Sequence, residues 1–225
     1  MKEGKYPFNS ITLYLRYLIN EKGLLVNATI VRPKNPPQEL IDLAFFENES
    51  IYLEGTGSLV LDRVNKIAYT CLSPRTNLRV LDAFANKMGY QTIVFNAVDL
   101  KGRAIYHTNV MMSVGESFAL ICLDAVRDKE DRKSLIDSFE KTGKTIITIS
   151  LEQMNAFAGN ILEVNNSKGN SFIILSETAN RSFNQSQLDT LKQFAELIPI
   201  SIPTIEKVGG GSVRCMMAEV FLPEN

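Results

Sequence analysis

Short segments that open on a small polar residue and run into apolar ones recur along this chain. They are SLVLD (58–62), NVMMS (109–113), NILEV (160–164) and SVRCM (212–216), with starts 51, 51 and 52 residues apart. A period of about fifty residues constrains the fold more than any single motif, because each repeat is one supersecondary unit that cannot bury its apolar face alone. After each of the first three segments comes a turn rich in Gly, Asn, Ser or Lys (63–66, 114–116, 165–170) and then a second apolar run (67–72, 118–123, 172–175). Strand, turn, strand is the reading. A helical pattern follows each hairpin: Leu78, Leu81, Phe84, Ala85 and Met88; then Leu135, Ile136 and Phe139; then Leu188, Leu191, Phe194 and Ala195. Gly89 and Gly143 stand where helix-ending glycines belong, and Asn184 with Gln187 reads as a variant capping box. The charged run at 128–133 is the solvated opening of the second helix, and third strands are expected at 92–95, 145–149 and 200–202.

The first fifty residues fit the template less cleanly, with strands at 9–13, 24–31 and 51–53 and a short helix at 36–44 that has prolines at its start. The expected fold class is α+β. One domain over 1–225 holds ββαβ units at approximately 8–53, 54–105, 106–156 and 157–205, with a partial unit at 206–225. A ring is favoured over a stack, since the polar starts of the first strands then converge on one axis. That arrangement is an α/β propeller around a central pocket, with its fifth unit incomplete.

The chain has 225 residues, 45% apolar and 22% charged, with a formal net charge of −1 and dispersed basic residues. Nucleic acid and anionic membrane surfaces are therefore not expected partners. One histidine and three widely separated cysteines offer no ligand spacing, so no metal is expected. Sparse cysteines without a signal peptide predict free thiols in the cytoplasm. The apolar segment at 11–19 is broken by Arg16 and too short to span a bilayer.

If the unit starts line one pocket, it gathers Asn9, Glu54, Thr56, His107, Asn109, Asn160, Gly210, Ser212 and Cys215. Taken alone, a cysteine on a glycine-rich apolar strand is more often an inert core residue. The phase of the sole histidine in the repeat shifts the balance toward function: thiol, imidazole and carboxylate are the parts of a nucleophile, a proton shuttle and an orienting group.

These residues sit in the phrases LEGTGSLVLDR (53–63), CLSPRT (71–76), YHTNVMM (106–112), EQM (152–154), FAGN (157–160) and GGGSVRC (209–215). In this order they resemble the pentein, or guanidino-group-modifying, superfamily of arginine deiminases, dimethylarginine hydrolases and amidinotransferases. The likeness is nearest to its citrulline-utilisation hydrolase branch. The resemblance implies a five-bladed ring of ββαβ units around a central active site that needs no cofactor or metal. It makes Cys215 the nucleophile, His107 the general acid and base, Glu54 the carboxylate beside the reacting group, and Arg75 the holder of the substrate α-carboxylate, for which a guanidinium fork is suited.

Two departures matter. Where arginine deiminases carry aspartates against the guanidinium, this chain has Asn109 and Asn9. A buried cation without its carboxylate costs about 3–5 kcal/mol, whereas a neutral ureido group has no such need. The expected activity is therefore cysteine-dependent hydrolysis of a small amino acid, citrulline to ornithine, ammonia and carbon dioxide, through a covalent Cys intermediate. An arginine or methylarginine hydrolase and a non-catalytic ligand-binding or subunit relative stay open as alternatives. The chain also begins closer to its first unit than family members do, with YPFN at 6–9, so a homo-oligomer or a complementing chain is expected to complete the ring.

Overall fold

The computed structural model describes residues 15–19, 25–30, 43–166 and 168–217. They fall in two units. One holds an antiparallel hairpin of β1 (Leu15–Ile19) and β2 (Leu25–Ile30), with Leu15 opposite Ile30. The other covers residues 44–217. The strand expected at 9–13 and most of the helix expected at 36–44 lie outside the described residues. At 51–53 there is no strand, only an isolated bridge from Leu53 to Thr76.

The second unit opens on a 3₁₀ helix (Ala44–Glu49) and the short α1 (Gly55–Ser58). A first sheet follows, made of β3 (Val60–Asp62), β4 (Ile67–Cys71) and, after α2 (Leu78–Met88), β5 (Gln91–Phe95). The next sheet has β6 (Met112–Val114), β7 (Phe118–Ile121) and, after α3 (Lys129–Lys141), β8 (Thr145–Thr148), with α4 (Leu151–Asn155) behind it. The last has β9 (Leu162–Asn165) and β10 (Ser171–Ser176), then α5 (Glu177–Ser182), α6 (Gln185–Lys192) and β11 (Glu196–Ile200); α7 (Pro203–Gly209) ends the series. In every sheet the second strand is central, antiparallel to the first and parallel to the third. The fold is thus mixed α+β with small sheets, and among the described residues no sheet closes on itself.

Local chemistry explains these elements. β4 and β7 are buried along their whole length, which is why they read as unbroken apolar runs. Asn77, Asp128 and Asn184 cap α2, α3 and α6 by accepting backbone N–H bonds that the first turn leaves open. Gly89 ends α2 with φ 68, a left-handed conformation that costs glycine little. One apolar core serves all three sheets. Tyr69 and Phe139 lie in it with ring centroids 4.9 Å apart, and the Tyr69 hydroxyl pairs with Ser138 Oγ at 2.8 Å. Each such large side chain taken out of water contributes about 1.5–3 kcal/mol.

Three expectations need correction. The first strands begin later than read: Ser58 ends α1, Asn109 lies in a 3₁₀ turn (Thr108–Val110), and Asn160 precedes β9, so the polar residues sit at the strand mouths, bonded to neighbouring loops. The last third strand is β11 at Glu196–Ile200, not 200–202; it is an edge strand, so Pro199 can join it despite lacking an N–H. The segment at 212–216 is no strand. Gly210 at φ 67 turns the chain, the Ser212 hydroxyl is drawn to Glu206, and Cys215 N donates to Ser212 O at 3.1 Å, winding Val213–Met216 into a 3₁₀ turn.

Candidate active site

β6 runs beside both β3 and β9, which brings the loops ahead of these strands together. Ser58 is the knot beneath them. Its buried Oγ accepts from Glu54 N (2.9 Å) and Thr76 Oγ1 (2.8 Å) and donates to Arg75 O (2.9 Å). Its carbonyl accepts from Thr70 Oγ1 (2.8 Å) and Thr108 Oγ1 (2.6 Å). Through these bonds the residues on either side of Ser58 and Thr108, Glu54 and His107 among them, are placed relative to one another.

His107 Nε2 lies 2.6 Å from Glu54 Oε2. An ionised carboxylate only accepts, so Nε2 is the donating nitrogen of this pair and Nδ1 faces away from it. The ring packs flat against Gly57: a Cβ there would stand 2.8 Å from Cε1 and Nδ1. Arg75 Nη1 reaches the same Glu54 oxygen at 3.5 Å, and its guanidinium lies 5.2 Å from the Tyr106 ring centre, with half of the side chain in solvent. Among the described residues the other N–H groups of that fork have no hydrogen-bond partner. Tyr106, adjacent to His107, donates its hydroxyl to Gly210 O at 3.1 Å and so ties this loop to the glycine turn before Cys215. Burial pushes the Tyr106 hydroxyl pKa up; the Cys215 charge adds to that and Arg75 opposes it.

Asn109 and Cys215 are joined by a third amide. Asn109 Nδ2 donates to Thr56 O at 3.0 Å, while its buried Oδ1 has no partner among the described residues. Asn160 Nδ2 donates both to Asn109 O (3.0 Å) and to Cys215 Sγ (3.3 Å). Cys215 is exposed, whereas Cys71 and Cys122 are fully buried and burial pushes both thiols up, Cys71 to about 11. Among the described residues Cys215 is reached through Asn160 rather than by a hydrogen bond from His107. Arg214, beside it in the chain, directs its guanidinium to Met217 O.

Of the residues singled out from sequence, Glu54, His107 and Arg75 form one cluster, and Asn109 links it to Cys215 through Asn160. Asn9 lies outside the described residues. Sequence reasoning gave no role to Tyr106, Gly57 or Glu206. Tyr106 and Gly57 lie inside the quoted phrases, so position pointed to them. Glu206, buried and accepting from Ser212 (2.7 Å) and Thr178 (2.6 Å), had no such signal.

A family model for eukaryotic N,N-dimethylarginine dimethylhydrolases matches residues 26–222. The chain belongs to this dimethylarginine dimethylhydrolase family. The pentein assignment thereby holds. No curated protein matches the chain by sequence. Among solved structures, it is similar to the apo form of ArgZ, an arginine dihydrolase from the ornithine–ammonia cycle in cyanobacteria, with TM-score 0.62 and 17% identity over 80% of this chain and 28% of that one. The product-bound N-terminal domain of ArgZ gives TM-score 0.60 and 16% identity over 77% of this chain and 61% of that one. Unliganded AgrE gives 0.57 and 18% over 73% and 22%. At these identities the likeness is one of fold. The chain spans about a quarter of the length of ArgZ. No helix among the described residues is long and apolar enough to cross a membrane.

Proposed function

We propose that this chain is a cysteine-dependent hydrolase acting on the ureido or guanidino carbon of a free amino acid, with citrulline as substrate. The observation that carries the reading is the exposed Cys215 thiol, tied through Asn160 and Asn109 to the loop whose His107 is paired with Glu54. The Cys215 thiolate forms a bond to the carbon, and the carbonyl electron pair moves to oxygen. Collapse of that intermediate breaks one C–N bond, and His107, which takes up the Cys215 thiol proton as the thiolate forms, passes it to the leaving amine. Water, giving its proton to His107, then attacks the S-linked carbon and releases the thiolate and a carbamic acid, which loses carbon dioxide and so breaks the second C–N bond. With citrulline one water is consumed overall, and ornithine, ammonia and carbon dioxide are the products. Arg75 would take the substrate α-carboxylate.

Neutral amides support the choice of citrulline. Asn109 is buried, uncharged and has a free Oδ1 that can accept an N–H, while the Glu54 carboxylate is already engaged by His107 and Arg75. Asn9 is the second amide in this proposal. A second reading, hydrolysis of a methylated arginine, is favoured by the family match. Release of ornithine and ammonia from citrulline, of citrulline and ammonia from arginine, and of citrulline and dimethylamine from N,N-dimethylarginine, by the native chain and by Cys215→Ser, tests both. Turnover that survives in the serine variant would sink the mechanism, and a higher kcat/KM for arginine or dimethylarginine would sink the substrate.

The same proposal includes a propeller of ββαβ units, a single domain over 1–225, and a cytoplasmic setting. The side-by-side packing of β3, β6 and β9, and of β10 with the turn that carries Cys215, supports the ring. Light scattering distinguishes a lone chain from a homo-oligomer. A lone chain with full activity would remove the need for a second copy.

A further inference from the structure

The Asn160 amide meets the Cys215 sulfur twice. Its Nδ2 stands 3.3 Å from Sγ and its Oδ1 stands 3.6 Å from Sγ. The orientation of the amide is set by something other than the sulfur. Nδ2 also donates to the Asn109 backbone carbonyl at 3.0 Å, and a flipped amide would bring two oxygens together there. Nδ2 has two N–H bonds, so one goes to Asn109 O and the other is left for the sulfur. Asn160 is 2% exposed, so this donor is shielded from water, where a hydrogen bond to a charged sulfur is strongest.

We propose that Asn160 is the positioning residue of the thiol: it holds Sγ in place, favours the thiolate through Nδ2, and accepts a hydrogen bond from the thiol on Oδ1 when the sulfur is neutral. The proposal rests on Cys215 being the nucleophile. The geometry also gives the coupling a direction. Asn109 bonds to Thr56, two residues from Glu54, and Asn109 O fixes Asn160, so the His107–Glu54 loop and the thiol are set by one chain of amides.

Other charged and titratable groups lie on the loops and turns that meet near the Cys215 turn. They are Tyr106, which feels the Cys215 charge; Arg75 against the Tyr106 ring; the His107–Glu54 pair; Arg214 next in the chain; and Glu206, bonded to Ser212. None of them has a hydrogen bond to Sγ among the described residues, whereas Asn160 does. Gly211 keeps the other side open, since even a Cβ there would come 3.4 Å from Sγ.

The test is the pH dependence of iodoacetamide alkylation at Cys215, read by mass spectrometry, in the native chain, Asn160→Ala and Asn160→Ser. Protection of buried Cys71 reports in the same sample that the unit is folded. The expected result is a midpoint about one pH unit or more higher in Asn160→Ala, partly restored by the serine hydroxyl. An unmoved midpoint with Cys71 still protected would overturn the proposal. A measurement on the native chain removes dependence on folding of the variants: the Asn160 side-chain amide resonances should titrate with Cys215 and cease to do so in Cys215→Ser. Resonances that ignore the thiol would overturn it equally. Alkylation needs no substrate. A shifted profile in a chain that turns nothing over would therefore sink the nucleophile reading alone, and cysteine-dependent turnover with an unshifted profile would sink the role of Asn160 alone.

Discussion

Lys144 Nζ lies 3.0 Å from Asp62 Oδ2, with the two side chains only 1% and 3% exposed. The ammonium also donates to Gly115 O and Glu116 O at 3.1 Å each, and the carboxylate also accepts from Asn65 N and Nδ2. The pair thus bolts the end of β3 to the turn between β6 and β7. Lys144→Met leaves a buried carboxylate without its cation, which should lower unfolding free energy by about 3–5 kcal/mol. Adding Asp62→Asn should recover part of that. Urea unfolding measures both, and a loss under about 1 kcal/mol in the single variant would contradict this account.

Glu54→Gln keeps the shape of the side chain but removes the charge that His107 and Arg75 share. Under the proposed mechanism kcat/KM should fall about 100-fold or more, with far-UV circular dichroism unchanged. Activity within a few-fold of the native chain would show that the imidazole needs no carboxylate.

Gly57→Ala tests the geometry rather than the charge. A methyl 2.8 Å from Cε1 and Nδ1 must displace the imidazole, and a shift near an ångström costs up to about 100-fold in rate. Gly57 is itself buried in the short α1, so the thermal midpoint is measured beside the rate to separate displacement of the imidazole from lost packing. Native activity in this variant would mean that His107 tolerates relocation.

Thiol reactivity should separate the three cysteines. At pH 8 a group with a pKa of about 11 is about one-thousandth thiolate, so Cys71, buried as well, should stay unmodified while exposed Cys215 reacts. Cys122, also buried and pushed up, should follow Cys71. Peptide mapping after brief alkylation checks the order, and comparable rates at Cys71 and Cys215 would refute it.

Alkaline conditions should destabilise the second unit. Burial raises Tyr69 from 10.0 to about 12 and Cys71 from 9.0 to about 11. For both groups the folded state holds the proton more tightly than the unfolded one. Their contribution is therefore complete below about pH 9 and is lost as the pH rises through about 11 and 12. Thermal midpoints at pH 8, 10 and 11 should fall in that order; a flat profile would show that neither group ionises on unfolding.

Much of this was legible in the sequence because it is local. The apolar runs of β4 and β7, the cap at Asn184, and the fifty-residue period rest on backbone preference and side-chain alternation, which neighbouring residues express directly. The phase of His107, Asn109 and Asn160 in that period placed them at corresponding points of successive units, at the mouths of β6 and β9. Some local signals were overlooked: Ser150 with Gln153 opens α4 with a capping box, and Pro203 followed by Gly210 brackets α7.

Tertiary structure decided what depends on partners distant in the chain. The segment around Cys215 reads as a strand, yet it winds into a turn because buried Glu206 holds Ser212 and Gly210 reverses the backbone. The buried pair of Lys144 and Asp62 likewise forms only when one sheet packs on the next. Which amide would address the sulfur was equally hidden, since spacing aligns Asn109 and Asn160 but cannot say which turns its Nδ2 to Cys215. The sequence by itself determined the units and the residues they bring forward. Only the packing of one unit on the next set the hydrogen bonds among them, because those bonds are a matter of direction and tenths of an ångström, which no one-dimensional pattern encodes.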